Sequence, residues 1–297
     1  MVRKSIIALV AAVLAASAAG AQPVEFTDAI GTAISMPGRA VRVVSLSPAF
    51  TEMLYAVGAG SAVVGVTSYC NYPAAALAVP KVGAYTADTI SVETIVAMKP
   101  DLVIGEPEMH GSLAATFKRA GVRFAALSLR DFAAVYRAIE LCAMAAGDRA
   151  TAAALVASMK ARVEAVRARF AGLPESSRPT VFWEIWDEPL MTAGPRTFTG
   201  QLIEAAGGRN IFADVTEDWP MVSFEAIVAR DPQYIFSPYT HGSALTGEKL
   251  AARPGWAGIR AVRLGNVVLL DDDISSRPGP RFVEAIEAMA AALYPGR

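Results

Sequence analysis

Short apolar runs alternate along this chain with longer stretches whose apolar positions recur at helical spacing. In the first half the runs are Arg42–Leu46 (RVVSL), Ala62–Val66 (AVVGV), Leu102–Gly105 (LVIG) and Arg123–Leu127 (RFAAL). In the second half they are Thr180–Ile185 (TVFWEI), Asn210–Ala213 (NIFA), Tyr234–Pro238 (YIFSP) and Val267–Leu270 (VVLL). Near-continuous apolar runs of this length suit strands buried on both faces, with helices as the crossovers between them. The pattern predicts an α/β fold with mostly parallel sheets covered by helices. A last helix, from Pro280 to about Leu293, closes the chain.

The halves repeat each other. SVETIVAMKPDLVI (Ser91–Ile104) and SFEAIVARDPQYIF (Ser223–Phe236) share Ser, Glu, Ile-Val-Ala and Pro in register. A weaker echo pairs Leu54–Gly65 with Ile203–Asp214: a helix end, a glycine turn, then an apolar run. Two similar lobes follow. In each strong repeat the serine is expected to cap a short helix, with Ile95/Val96 and Ile227/Val228 facing inward. Pro100 or Pro232 then ends that helix before the strand. From Asp148 to about Phe170 every residue is compatible with a helix, and neither Gly nor Pro interrupts. A helix of some 20 residues is about 30 Å long, enough to join two lobes. Residues 22–146 are therefore read as the N-terminal lobe, 147–172 as the linking helix and 173–297 as the C-terminal lobe.

Residues 1–21 stand apart. Arg3 and Lys4 precede an apolar stretch from Ile6 to Ala16, followed by small residues through Ala21. That is the pattern of a secretory signal peptide, too short for the ~20 residues of a membrane span. Cleavage before Gln22 would release the protein into the periplasm, and no cysteine follows the site to carry a lipid anchor. Lys plus Arg number 27 against 28 Asp plus Glu, so no net charge points to nucleic acid. Export permits a disulfide between Cys70 and Cys142, but sequence does not place them within bridging distance. The expectation is one loop thiol and one buried helical thiol.

No nucleophile elbow, phosphate-cradling glycine loop, Cys-x-x-Cys or His-Glu-x-x-His is present, so no catalytic residue and no cofactor is expected. Asp271-Asp272-Asp273 makes a poor metal site, because three adjacent carboxylates do not converge on one ion; it reads rather as a solvated turn after a strand. What the chain does supply is aromatic side chains near strand ends: Tyr69, Tyr72, Tyr85, Trp183, Trp186 and Trp219. In open α/β sheets ligands bind beyond the carboxyl ends of the strands. Flat amphipathic rings there suit a large flat ligand, though each ring also serves ordinary packing. Glu93 and Glu225 occupy the same place in the two repeats, where a carboxylate near a helix N-terminus gains ~0.3–1 kcal/mol from the dipole.

Taken together, RVVSLSPAFTEMLYAVGAG (from Arg42), VGVTSYCNYP (from Val64), GQLIEAAGGRNIF (from Gly200), DWPMVSFEAIVARDP (from Asp218) and SRPGPR (from Ser276) resemble the helical-backbone, or class III, periplasmic binding proteins of ABC importers. Among these they are most like the vitamin B12 binders. The resemblance spans nearly the whole chain after residue 21. It implies two lobes joined by one long helix, a ligand cleft between them, and a monomer that hands a small molecule to a membrane permease. It further implies a corrinoid ligand held by Tyr69, Tyr85, Trp186, Trp219, Asp273 and Arg277, with Glu93 and Glu225 docking on the permease. Tyr85 stands where the family has Trp, Gly105-Glu106 replaces another family Trp, and Trp186 aligns only approximately. Haem or a ferric siderophore is the alternative ligand, with Tyr239, His241 and His110, beside Met109, as possible iron-facing groups.

Overall fold

The computed structural model describes residues 22–239 and 246–296; the signal-peptide reading falls outside them. The described chain opens with an antiparallel hairpin, β1 (Val24–Thr27) and β2 (Ala33–Met36). A four-stranded sheet follows, made of β3 (Val43–Ser45), β4 (Val63–Val66), β5 (Leu102–Gly105) and β6 (Phe124–Ala126). Its order is β4-β3-β5-β6 and every pairing is parallel. Successive residues point to opposite faces, as the strand period of two demands. Val43, Leu102, Ile104 and Ala125 enter one core, while Val44, Val103, Phe124 and Ala126 enter another on the far face.

The helices of this half include α1 (Pro48–Ala56), α2 (Val92–Ala97) and α3 (Phe132–Ala145). Then comes the long helix α4 (Arg149–Ala168), whose cap Asp148 accepts hydrogen bonds from the Ala150 and Thr151 amides. Its buried positions, Ala152, Val156, Met159, Val163 and Val166, form one stripe at intervals of three and four. That stripe lies against α1 and α3 on one side and against helices of the second half on the other. The linking helix is thus a packed element rather than a bare rod.

The second half repeats the first in topology. Its sheet comprises β7 (Thr180–Trp183), β10 (Arg209–Asn210), β11 (Tyr234–Tyr239) and β12 (Val267–Asp271), in the order β10-β7-β11-β12, again all parallel. In both sheets the second strand in sequence takes the edge beside the first. A hairpin of β8 (Trp186–Asp187) and β9 (Leu190–Met191) is inserted after β7. The helices named below are α5 (Phe198–Ala205), α6 (Phe224–Arg230) and α7 (Phe282–Leu293).

The repeats match in detail. Ser91 and Ser223 accept hydrogen bonds from the amides of Thr94 and Ala226, each at 3.2 Å. Lys99 and Asp231, the residues before the paired prolines, both take left-handed backbone, at φ 48° and 36°. That conformation is disfavoured for residues with a Cβ, and here it stops both helices at the same point. Gly58 and Gly207, at φ 79° and 82°, end α1 and α5 with the same pair of turn hydrogen bonds. Two expectations fail. Ile95 and Ile227 are buried, but Val96 and Val228 are exposed, since helices of six and seven residues bury a single row. The NIFA run pairs only through β10; Ile211 and Phe212 are buried from a turn.

One core, containing Val43, Phe50, Val156, Phe170, Trp183, Phe236 and Phe282, runs without a break through both halves. Trp183 belongs to it and is not available to a ligand. Cys70 and Cys142 are both free and buried, with the Cys142 thiol pushed up to about 12 by its apolar surroundings. Among the described residues no helix is long and apolar enough to cross a membrane.

Candidate functional site

The carboxyl ends of the first sheet and the segment after β12 enclose a cavity of about 760 Å³ between the halves. Ser47 and Pro48 reach it from the end of β3, Tyr69 and Asn71 from the end of β4, and Glu106 from the end of β5. The other wall is Asp272, Asp273, Ser276 and Arg277. This placement follows the rule for open α/β sheets, and the volume lies within the ~300–1,000 Å³ usual for small-molecule pockets.

Four of the six residues expected to hold a ligand, Tyr69, Tyr85, Asp273 and Arg277, therefore meet in one cavity. Tyr69 lines the cavity and is 61% exposed. Trp186 and Trp219 do not line the cavity. Met191 pairs with Trp186 in the β8–β9 hairpin and bridges to Met221 on its other side, while the chain around Trp219 runs alongside residues 190–194. Strand alternation puts Trp186, Met191, Met221 and Trp219 on one face of this small ribbon. Trp186, Trp219 and Met221 are all exposed. The ribbon stands at the junction of the halves, because Asp218 lies 4.0 Å from Arg130, which follows β6.

Asp273 and Arg277 have partners of their own. The Arg277 guanidinium donates to Glu52 Oε1 at 2.6 Å, Asn71 Oδ1 at 2.9 Å and Asp273 Oδ1 at 2.6 Å. Asn71 in turn donates to the second Asp273 oxygen at 2.7 Å. Arg281 donates to both Glu52 oxygens, at 2.9 and 2.7 Å, and lies over the Tyr72 ring 4.0 Å from its centroid. Glu52 and Asn71 belong to the first half, Asp273, Arg277 and Arg281 to the second. The group closes one side of the cleft as an ion network across the halves. Neither Glu52 nor Arg281 was singled out from the sequence; more than 200 residues separate each donor from its acceptor across the halves.

A second cluster sits at the end of β5. The Tyr85 hydroxyl donates to Glu106 Oε1 at 2.8 Å. His110 Nδ1 accepts the Glu106 amide hydrogen at 3.0 Å, so Nε2 carries the ring's proton and donates to the Tyr85 carbonyl at 2.7 Å. Desolvation holds His110 below the ordinary imidazole range and neutral. Burial, and next the Glu106 charge, push the Tyr85 hydroxyl far up, so it remains a donor. Burial also raises the Glu106 carboxyl, against hydrogen bonds from Ser47 and Tyr85 that favour its charged form. His110 has no nitrogen left for iron. His241 and the Tyr239 side chain lie outside the described residues.

Residues 43–274 match the sequence model of the family described as periplasmic binding protein. The chain belongs to that family. This periplasmic binding protein is 34% identical to a cobalamin-binding protein of Halobacterium salinarum, over 92% of its own length and 74% of the relative's. Among solved structures it resembles the vitamin B12-binding protein of Vibrio cholerae, with TM-score 0.71 and 27% identity, covering 86% of this chain and 96% of that one. A haem-binding protein of Pseudomonas aeruginosa is as similar: TM-score 0.77, 28% identity, 86% of this chain and 94% of the other. The fold is the two-lobed, helix-linked one, and the protein is a substrate-binding protein of the ABC-importer type. Its relatives span corrinoid and haem ligands.

Glu93 and Glu225 are exposed, each in the first turn of its capped helix, α2 or α6. Neither lines the cavity.

Proposed function

We propose that this protein captures a corrinoid, vitamin B12 or cobinamide, in the periplasm and delivers it to the permease of an ABC importer. The observation that carries the choice is the polarity of the cavity. Its wall offers carboxyl, amide and hydroxyl groups, and its one cation among the described residues, Arg277, is spent on Glu52, Asn71 and Asp273. A corrinoid edge is set with carboxamides, whose N–H groups need acceptors. Haem propionates and the acidic groups of many siderophores need unspent cations, and this wall supplies none.

Tyr69 and Tyr85 serve as the inner aromatic contacts in this reading, with the Trp186–Trp219 ribbon as an outer lip. Glu93 and Glu225 present one carboxylate per lobe to the permease. A haem reading draws on Tyr69, an exposed phenol of the kind that ligates ferric haem. Calorimetric titration of the purified protein with cyanocobalamin, dicyanocobinamide, haemin and a ferric siderophore separates the two. Submicromolar binding is expected for at least one corrinoid, with haemin weaker by tenfold or more. Haemin binding in preference to both corrinoids, lost in Y69F, would transfer the assignment to haem.

A further inference from the structure

We propose that Glu106 determines which ligands this cavity accepts: it takes an amide N–H from the ligand's edge and, with Asp272 on the facing wall, turns away ligands whose edge carries carboxylates. The inference rests on the corrinoid reading and names the chemical edge selected.

The position is built for the purpose. Glu106 follows β5, an inner strand of its sheet, so its side chain leaves from the middle of the cleft rather than from a rim. Its backbone is fixed twice by His110, whose Nδ1 accepts the Glu106 amide and whose own amide donates to the Glu106 carbonyl at 2.8 Å. Gly105 lets the segment Pro107–His110 fold this close: a Cβ there would stand 2.9 Å from the Phe124 ring and 3.0 Å from His110 Cβ. His110 in turn holds the Tyr85 carbonyl and meets the Tyr85 ring edge to face, 5.7 Å between centroids. Tyr85 then fixes Glu106 Oε1.

The carboxyl is therefore oriented before any ligand arrives, which spares the ordering cost of binding. Tyr85 fills one acceptor site of the Glu106 carboxyl, on Oε1, and leaves Oε2 to other donors. Glu106 lines the cavity. Asp272 faces the same space from the second half. Acceptors on both walls and no unspent cation between them favour a neutral, amide-bearing edge over an anionic one.

The test compares two macrocycles of the same shape: dicyanocobinamide, whose edge carries amides, and its hydrolysis product with carboxylates in their place. Calorimetry on the full wild-type protein is expected to show the amide form binding at least tenfold tighter. E106Q keeps the size of the side chain but replaces one acceptor oxygen with a donor. It should weaken the amide form by up to about tenfold, the worth of one lost hydrogen bond, and narrow the preference by at least as much. D272N, on the opposite wall, should narrow it in the same direction by less, independently of whether E106Q folds well. If wild type binds dicyanocobinamide but neither variant changes the preference, the role of Glu106 is refuted while the corrinoid reading stands. If wild type binds neither macrocycle, the corrinoid reading falls and takes this inference with it.

Discussion

At the scale of single residues, His110 is the informative side chain, because its surroundings decide its chemistry completely. One ring nitrogen accepts from Glu106 and the other donates to Tyr85, an arrangement only the neutral imidazole satisfies. An unfolded histidine titrates near ~6.5, whereas desolvation lowers the value in the folded protein. Between those two values the unfolded chain binds more protons, so the stability that neutral His110 supplies is present above pH ~6.5 and is lost as pH falls through the folded value. In urea unfolding from pH 7 down to pH 5, wild type is expected to lose stability relative to H110Q, which has no such proton to gain. The chain has two histidines, so ring carbon shifts in the wild type, assigned with H110Q, check the same point. His110 should keep its neutral signature below pH 6. Parallel stability profiles for the two proteins would show that the ring titrates freely and does not brace Glu106.

At the scale of elements, the duplicated helices α2 and α6 carry the second prediction. Each has its serine cap, an exposed carboxylate in the first turn and an exposed valine one turn further on: Glu93 with Val96, Glu225 with Val228. Reversing both charges in E93K/E225K should abolish ligand uptake by cells while the purified double variant keeps its ligand affinity, because such pairs govern orientation and encounter rate at an interface. An equal fall in ligand affinity would place these residues in the binding site and end the docking assignment. What was legible in these elements was local. Capping serines, helix-ending prolines, the Gly58 and Gly207 turns and the uninterrupted α4 stretch each act within a few residues, and sequence displays them directly. The outward turn of Val96 and Val228 was not legible, since a helix of one or two turns shows too little periodicity to choose between adjacent rows. The ion network and the Glu106–Tyr85–His110 cluster were hidden for another reason. Arg277 reaches Glu52 across 225 positions, and Tyr85 reaches Glu106 only once β5 and the loop before α2 are side by side. Nothing in the local pattern announces either meeting.

At the scale of the whole molecule, three features oppose wide opening of the cleft. The 20-residue helix α4 packs on both halves, a single apolar core runs through them, and the Glu52–Arg277–Arg281 network ties them beside the ligand cavity. Hinge closure of the large kind needs few contacts across the hinge, and here the contacts are continuous. Free and ligand-bound protein should therefore give nearly superimposable solution scattering curves. The network is the part that a single substitution can reach. Glu52 is 2% exposed at its side chain and Arg281 19%, so removing the carboxylate takes the ion-pair partner from Arg281 and one of three acceptors from Arg277, with little water to replace it. Loss of one partner from such a buried arrangement costs about 3–5 kcal/mol. E52Q retains shape and hydrogen-bonding capacity but not charge, so it should fall at or below the lower end of that range while loosening the cavity wall. Its free form should scatter as a slightly larger particle than wild type, and ligand should restore the compact curve. If E52Q instead matched wild type in unfolding midpoint and in scattering, the network would be a bystander, and the rigidity of the cleft would rest on the shared core and α4 alone.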